Sequence, residues 1–487
     1  MPDAVTSTEP MLPMDGQLQE RTDAKENRRL VALDVVRGFT VAVMIFVDDA
    51  GDALQEVDHA PWDGLTFADI VMPWFLFMVG NAMAFSLKKS TGGPARRAQL
   101  TKLLIRSLKL FMLGLVLQGG GMPRHTWESW GWNLSTLRWC GILQRIAFAY
   151  LIVGLTSVCV PLRPATGALP DLLRVYAWEW LVPAFFTSAY LILMLATPVP
   201  SWNVANTSTS RDKHIVGATI HCNGVQGDLG PACNAAGYYD RLLFGQHHMY
   251  QPGEKVRLPE CSTCSPGSCW HPTNASQMPP PFCWAPFDPE GAVATLMSVT
   301  TTYIGLHFGR AVRVSRVQSE PDRSLLKLWG ASTAVCAAVG FALIAAFPVN
   351  KQLWTPSYAL LTAAMAGGAL LVVHVLCGLL KLRAAIILLR PFQWMGMNAL
   401  LVFVLAASGV FENLVNSVYL GSPEKCRKGE CFANLTQWFW YLFAHGFHGS
   451  TQWDAHGCAR VIYVLCKIAF WLAVCGALHL RRWYWKF

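Results

Sequence analysis

DIVMPWFLFMVGNAMAFSL, Asp69 to Leu87, carries a single charged residue across nineteen positions. A helix needs about 20 predominantly apolar residues to cross the hydrocarbon layer of a bilayer, so this run has the length and character of a transmembrane span. Nine further apolar stretches of the same kind centre on 33–50, 103–120, 139–160, 178–197, 290–309, 325–347, 354–376, 392–412 and 461–480. The 487-residue chain is 53% hydrophobic and 14% charged, whereas soluble domains carry roughly 25% charged residues. The expected fold class is therefore all-α: a polytopic membrane bundle of about ten transmembrane helices. Spans 1–5 fall in 31–197 and spans 6–10 in 290–487. Between them, 198–289 is polar and rich in Pro and Cys, too long for a packed linker, and is expected to form one large disulfide-bonded loop on the exoplasmic or luminal side. Residues 1–30 lack an apolar h-region and read as a disordered cytosolic tail with no cleavable signal peptide.

Orientation follows from the cations, because short loops rich in Lys and Arg stay in the cytoplasm. With the N-terminus inside, the inner set holds Arg28 and Arg29, then Lys88 to Arg106, Arg163 and Arg174, Arg310 to Lys327, Lys381 to Arg390, and Arg481 to Lys486. Both termini are then cytosolic, and the net charge of +9 is a topological bias. No basic face interleaved with aromatic residues suggests nucleic acid. Four N-x-[ST] sequons, at Asn133, Asn206, Asn274 and Asn434, all fall on loops placed outside by charge. So do eight of the fifteen cysteines: Cys222, Cys233, Cys261, Cys264, Cys269 and Cys283 in the long loop, and Cys426 and Cys431 in the last one. Even counts in a non-cytosolic compartment read as disulfides, and the zinc-knuckle reading of CSTCSPGSC is the weaker alternative, so no metal is expected.

The segment VDDAGDALQEVDHAPWDGLTFADIVMPW, 47–74, joins the first two spans and holds seven carboxylates and one histidine, His59, without a lysine or arginine. A histidine whose tautomer a carboxylate fixes is a suitable general base near neutral pH. The competing reading is a plain solvated acidic loop, which pattern alone favours. Inside the apolar runs lie Asp34, Arg37, Arg145, Glu179, Glu290, His307, His374, Asn398, Glu412 and Lys467. Lipid offers such groups no partner, so they must face a cavity or one another, and Asp34 and Arg37 stand one helical turn apart. No nucleophile elbow, phosphate loop, dinucleotide fingerprint or zinc-protease motif is present. The residues themselves leave a transporter, a structural membrane protein and a membrane-embedded transferase open.

HAPWDGLTFADIVMPWFLFMVG, 59–80, resembles the segment that begins at the active-site histidine of the heparan-α-glucosaminide N-acetyltransferase family. Matches in the same order are LDVVRG (33–38), LQRIAFAY (143–150), NAAGYYDRLLFGQHHMYQ (234–251), FDPEG (287–291), PVNKQLWTPSY (348–358) and GMNALLVFVLAASGVFEN (396–413). The resemblance implies transfer of an acetyl group from cytosolic acetyl-CoA, the co-substrate, to an amino-sugar or glycan acceptor across the membrane. It places the catalytic histidine at His59 and a second catalytic residue at Asp48, where the family's naming enzyme has asparagine. The nucleotide would sit near the basic cytosolic rim, with Arg37, Arg106, Arg145 and Asn398 as candidate cofactor-binding residues; backbone amides or Asn398 are the candidate oxyanion donors. The resemblance further implies a lysosomal, vacuolar or other endomembrane location and is compatible with a homodimer. The family's founding member carries a luminal N-terminal domain and an additional span that the present chain is expected to lack. Alternatives within the same fold are a transporter of a sugar-like or anionic solute, or an acyltransferase with another acceptor.

Overall fold

A computed structural model describes residues 30–51, 54, 57–87, 93–118, 134, 137–160, 169–205, 219–250, 287–316, 318, 320–418, 435–436, 438–439 and 452–485. Each apolar stretch expected to span contains helix among its described residues. The helices are α1 (Val31–Ala50), α2 (Val71–Ser86), α3 (Gly93–Leu117), α4 (Ile142–Cys159), α5 (Leu169–Val175), α6 (Ala177–Ala196), α7 (Ala235–Phe244), α8 (Ala292–Ser315), α9 (Pro321–Leu343), α10 (Pro356–Val373), α11 (Arg383–Met397), α12 (Ala399–Ala407), α13 (Val410–Asn416) and α14 (Gln452–Leu480). Among the described residues, six helices are long and apolar enough to cross a membrane: those over Ala68–Ser86, Ile142–Cys159, Ala177–Ala196, Pro321–Leu343, Pro356–Leu379 and Ala459–Leu480. A seventh is gained if α11 and α12, bent 75° from one another at Asn398, count as one span. The three remaining stretches, α1, α3 and α8, fall short on polarity rather than on length. In α1 the charges are Asp34, Arg37, Asp48 and Asp49, α3 carries Arg96 to Lys109, and α8 is rich in Ser and Thr.

Packing explains how α1 and α8 stay buried. Hydroxyls of α8 return to their own backbone, Thr302 to Ser298 and Ser298 to Thr295, while Thr301 accepts from the Trp354 indole. Asp34 and Arg37 do pair, at 2.6 Å, and the Arg37 guanidinium also donates to the Gly396 carbonyl at 2.6 Å. Two glycine contacts set the closest helix crossings. A Cβ on Gly38 of α1 would overlap the Phe392 carbonyl of α11, and one on Gly396 the Asp34 carbonyl. Where α2 crosses α8, a Cβ on Gly80 would overlap the Thr302 carbonyl and one on Gly305 the Phe77 carbonyl, and Gly309 faces Asn81 in the same way. Small residues let backbones approach where no hydrophobic force drives helices together in lipid. Glu179 of α6 forms an ion pair with Arg310 of α8, shares an oxygen with the Tyr303 hydroxyl, and leaves Arg310 stacked 3.8 Å over Tyr176. Arg310, grouped by the charge pattern with the inner-loop cations, is thus an interior ion-pair partner, because an acid on the facing helix reaches it. A second ion cluster joins Lys467 of α14 to Asp49 of α1, at 2.6 Å, and to Glu412 of α13.

Between α6 and α8, the described part of the long loop is a small layer on one end of the bundle. A two-residue antiparallel ladder pairs Trp202 with Ile220 and Asn203 with Thr219. A disulfide joins Cys222 to Cys233, and Asn234 caps α7 by accepting from Gly237 N at 2.7 Å. The expected cysteines Cys261, Cys264, Cys269, Cys283, Cys426 and Cys431 and the sequons at Asn133, Asn206, Asn274 and Asn434 lie outside the described residues. Asp240, on α7, accepts from Ala292 N at 2.8 Å and so holds the start of α8, while its other oxygen is buried against Gly291. Burial, and then the nearby Asp288 carboxylate, pushes its pKa up to about 7. An acid with an ordinary unfolded pKa of about 3.9 and a raised folded pKa favours the folded state while protonated. Its contribution is complete below about pH 4 and is lost as pH rises through about 7. Thermal unfolding of the wild type should therefore fall in midpoint between pH 4 and 7, and Asp240→Asn should flatten that fall.

Candidate functional site

The 59–69 connection is built around one carboxylate. Asp69 sits in the 3-10 turn Ala68–Ile70 that leads into α2, at the end of a helix where a negative charge is favoured. Its side chain is 1% exposed. Oδ2 accepts from Ala60 N at 3.1 Å, Thr66 N at 3.2 Å and Thr66 Oγ1 at 2.8 Å, and the Tyr358 hydroxyl donates to the Asp69 carbonyl at 2.6 Å. Those bonds fix the carboxylate plane and leave Oδ1 directed at His59 Nδ1, 2.8 Å away. Asp58 accepts from His59 N at 2.7 Å, which orients the backbone from the other side. The His59 side chain remains 29% exposed. The arrangement is a histidine with one nitrogen held by a buried carboxylate and a ring open to an incoming molecule.

A second loop closes over it. Residues 348–355 enter α10 through a ladder contact between Asp63 and Asn350, with Asn350 Nδ2 donating to Asp63 Oδ1 at 3.0 Å and Gly64 N to the Val349 carbonyl at 2.7 Å. Asn350 Oδ1 accepts from Leu353 N, and Thr355 Oγ1 from Asn350 N. Trp354 takes a left-handed backbone, φ 54°, with its ring fully buried. From this clamped turn Lys351 reaches back, its Nζ 2.8 Å from His59 Nδ1, 3.3 Å from Nε2 and 3.5 Å from Asp69 Oδ1. The long loop supports the same region: Trp62 donates to the Leu229 carbonyl at 2.8 Å and packs edge-on against Phe287. Beside it Arg138 makes a two-pronged pair with Asp288, at 2.8 and 2.6 Å, and bonds Glu290.

The expected site residues divide into separate groups. His59 stands at the centre described above. Asp48 is exposed on the last turn of α1, and the carboxylate that bonds His59 is Asp69, ten residues further along the chain. Arg145 is buried at the His59 end of the bundle, donating to Thr295 Oγ1 at 3.1 Å and the Pro289 carbonyl at 2.7 Å and lying 4.6 Å over the Trp354 ring. Arg37 and Asn398 share the α1–α11 crossing, where Asn398 Oδ1 accepts from Trp485 N at 3.0 Å and its amide nitrogen is buried without a hydrogen-bond partner. Arg106 is exposed on α3, 5.0 Å from the Tyr150 ring. Asp69 and Lys351 complete the centre, and neither is among the candidate catalytic residues read from the sequence. A signal for each was present: Thr66 three residues before Asp69 is a helix-entry pattern, and Lys351 lies on a loop assigned by charge to the same side as His59. No group of three or more His, Cys, Asp or Glu arranged to hold a metal occurs among the described residues.

Residues 29–203, which include His59, Asp69 and Asp48, match the catalytic-domain profile of heparan-alpha-glucosaminide N-acetyltransferase. Over that segment the chain is similar to this family. The enzyme of that name from Mus musculus is 26% identical over 462 residues, covering 89% of this chain and 61% of its own length. The one from Homo sapiens is 27% identical over 432 residues, covering 82% and 56%. The chain thus spans about three fifths of the length of these curated relatives. Lys351 and Asn398 lie beyond the segment matched by the catalytic-domain profile.

Proposed function

We propose that the protein is a membrane-embedded acetyltransferase that moves acetyl from acetyl-CoA to the amine of a glucosaminide-like acceptor, with His59 as general base. The observation that carries this reading is the bond from His59 Nδ1 to the buried Asp69 carboxylate, whose other oxygen is already saturated. An acceptor-only carboxylate at Nδ1 stabilises the tautomer with its proton there, so Nε2 keeps the lone pair a base needs. Amino-sugar amines are nucleophilic only when neutral, and removal of the proton as the amine attacks is the step this dyad serves. All ten apolar helices cross the membrane in this proposal, with both termini cytosolic. The donor enters from the basic side past Arg37 and Arg106, and the acceptor meets His59 at the opposite face in a lysosomal, vacuolar or related compartment. Asp48 then flanks the approach of a cationic amine, while Arg145 and its partners hold the wall behind it.

The test is to incubate purified full-length protein with labelled acetyl-CoA and a panel of amino sugars and identify labelled products. N-acetylated amino sugar is the expected result; absence of transfer to every amine in the panel sinks the reading. Asp69→Asn should lower kcat by about 100-fold, because an amide NH2 in that place opposes an Nδ1 proton and favours the wrong tautomer. Its KM for acetyl-CoA should change little.

A further inference from the structure

Lys351 presents a proton-counting problem at His59. Nδ1 has one in-plane valence, yet two groups lie 2.8 Å from it, the Asp69 carboxylate and the Lys351 ammonium. A carboxylate only accepts and an ammonium only donates, so Nδ1 satisfies one of them at a time. With the Nδ1 proton given to Asp69, the ammonium has Nε2 at 3.3 Å and Asp69 Oδ1 at 3.5 Å as its remaining acceptors. An ammonium whose task was to neutralise Asp69 would sit at ion-pair contact with Oδ1, near 2.8 Å. Instead it lies closer to both ring nitrogens, beside the place where the reacting atoms must gather.

The loop is built to hold it there. Asn350 on one side of Lys351 is tied to Asp63, Leu353 and Thr355, and Trp354 on the other is anchored by Thr301, with Tyr190 donating to the Leu353 carbonyl at 3.0 Å. The Lys351 side chain is 14% exposed, so its charge acts in a partly desolvated setting where electrostatic interactions are strengthened.

We propose that Lys351 is a catalytic residue of the acetyl-transfer site, its ammonium holding the oxyanion of the tetrahedral intermediate. This inference rests on the acetyltransferase reading above. The acceptor amine attacks the thioester carbonyl carbon, forming the C–N bond, and the carbonyl π pair moves onto oxygen beside the Lys351 ammonium. His59 Nε2 takes the proton released by the amine. The oxygen pair then re-forms the carbonyl, the C–S bond breaks, and the departing thiolate takes the proton back from His59 to leave as CoA thiol. Lys351 keeps all its protons and turns from the ring toward the oxyanion as the imidazolium forms.

The experiment measures acetyl transfer to glucosamine by wild type, Lys351→Met, Lys351→Arg and Lys351→Gln, together with melting temperature and acetyl-CoA binding. Loss of an oxyanion donor costs about 100-fold or more in kcat. Lys351→Met and Lys351→Gln should show that loss with KM for acetyl-CoA within threefold of wild type, and Lys351→Arg should recover part of it because the cation is restored. Met and Gln variants that fold and turn over at the wild-type kcat overturn the inference while leaving the acetyltransferase reading intact. A loss that appears only in KM, or that tracks the melting temperature and is not rescued by Arg, assigns Lys351 a structural role and overturns it as well. No transfer by the wild type to any amine overturns the functional reading, and this inference falls with it.

Discussion

His59→Ala is expected to abolish acetyl transfer, lowering kcat by about 1,000-fold, within the range a positioned general base contributes. The fold should survive. The ring is 29% exposed, its backbone is held by Asp58 irrespective of side chain, and Asp69 retains the three donors on Oδ2 and Lys351 as a charge partner. The check is to compare kcat, acetyl-CoA binding and thermal unfolding side by side. Full turnover of glucosamine by His59→Ala would remove the residue from the chemistry; loss of folding together with activity would show that the ring is a structural post. The effect should exceed that of Asp69→Asn, since the latter leaves a base in place with its tautomer disturbed.

Gly80→Leu is the largest expected effect on the fold. At this position α2 meets α8 backbone to backbone, and even a methyl group would collide with the Thr302 carbonyl, which belongs to a helix and cannot rotate aside. The collision is reciprocal across the crossing, at Gly305 and Gly309 against Phe77 and Asn81. Separating two helices packed along their length costs more than the 1–3 kcal/mol usual for an overpacked core, and a loss of at least about 3 kcal/mol is expected. Because the 3-10 turn that carries Asp69 leads directly into α2, the shift also moves the His59 partner relative to Lys351. In detergent, the variant should elute from size exclusion as aggregate or unfold well below wild type, whereas Gly330→Leu, with nothing near its Cβ, should not.

How much of this was written legibly in the chain depends on the range of the interaction. Helix positions were legible because an apolar run of about 20 residues is a local signal. α1 and α8 show its limit: Arg37 is satisfied by Asp34 of its own helix and by Gly396 of α11, and hydroxyls of α8 by their own backbone. His59 and the carboxylate that bonds it lie ten residues apart, so both stand in one legible segment; which of its seven carboxylates turns back depends on the Thr66 and Ala60 bonds that fix Asp69. Lys351 acts across 292 residues, and nothing local to PVNKQLW says what lies opposite. The glycines of the α2–α8 crossing were similarly mute until paired, although GLHFG carries two small residues at the four-residue spacing of a close helix contact.

The Asp49–Lys467–Glu412 cluster has a bearing on the order in which the chain can be assembled in the membrane. Lys467, 4% exposed, belongs to the last described helix, and its partners belong to the first and to α13. A lone lysine at the centre of a spanning helix costs about 2.5–3.5 kcal/mol to insert, so α14 enters more readily once two carboxylates are waiting for it. Those carboxylates, synthesised earlier, have to be kept hydrated or otherwise satisfied until it arrives. The cluster therefore acts as a latch: the last described helix closes onto α1, and a chain truncated before residue 467 leaves Asp49 and Glu412 without this cation.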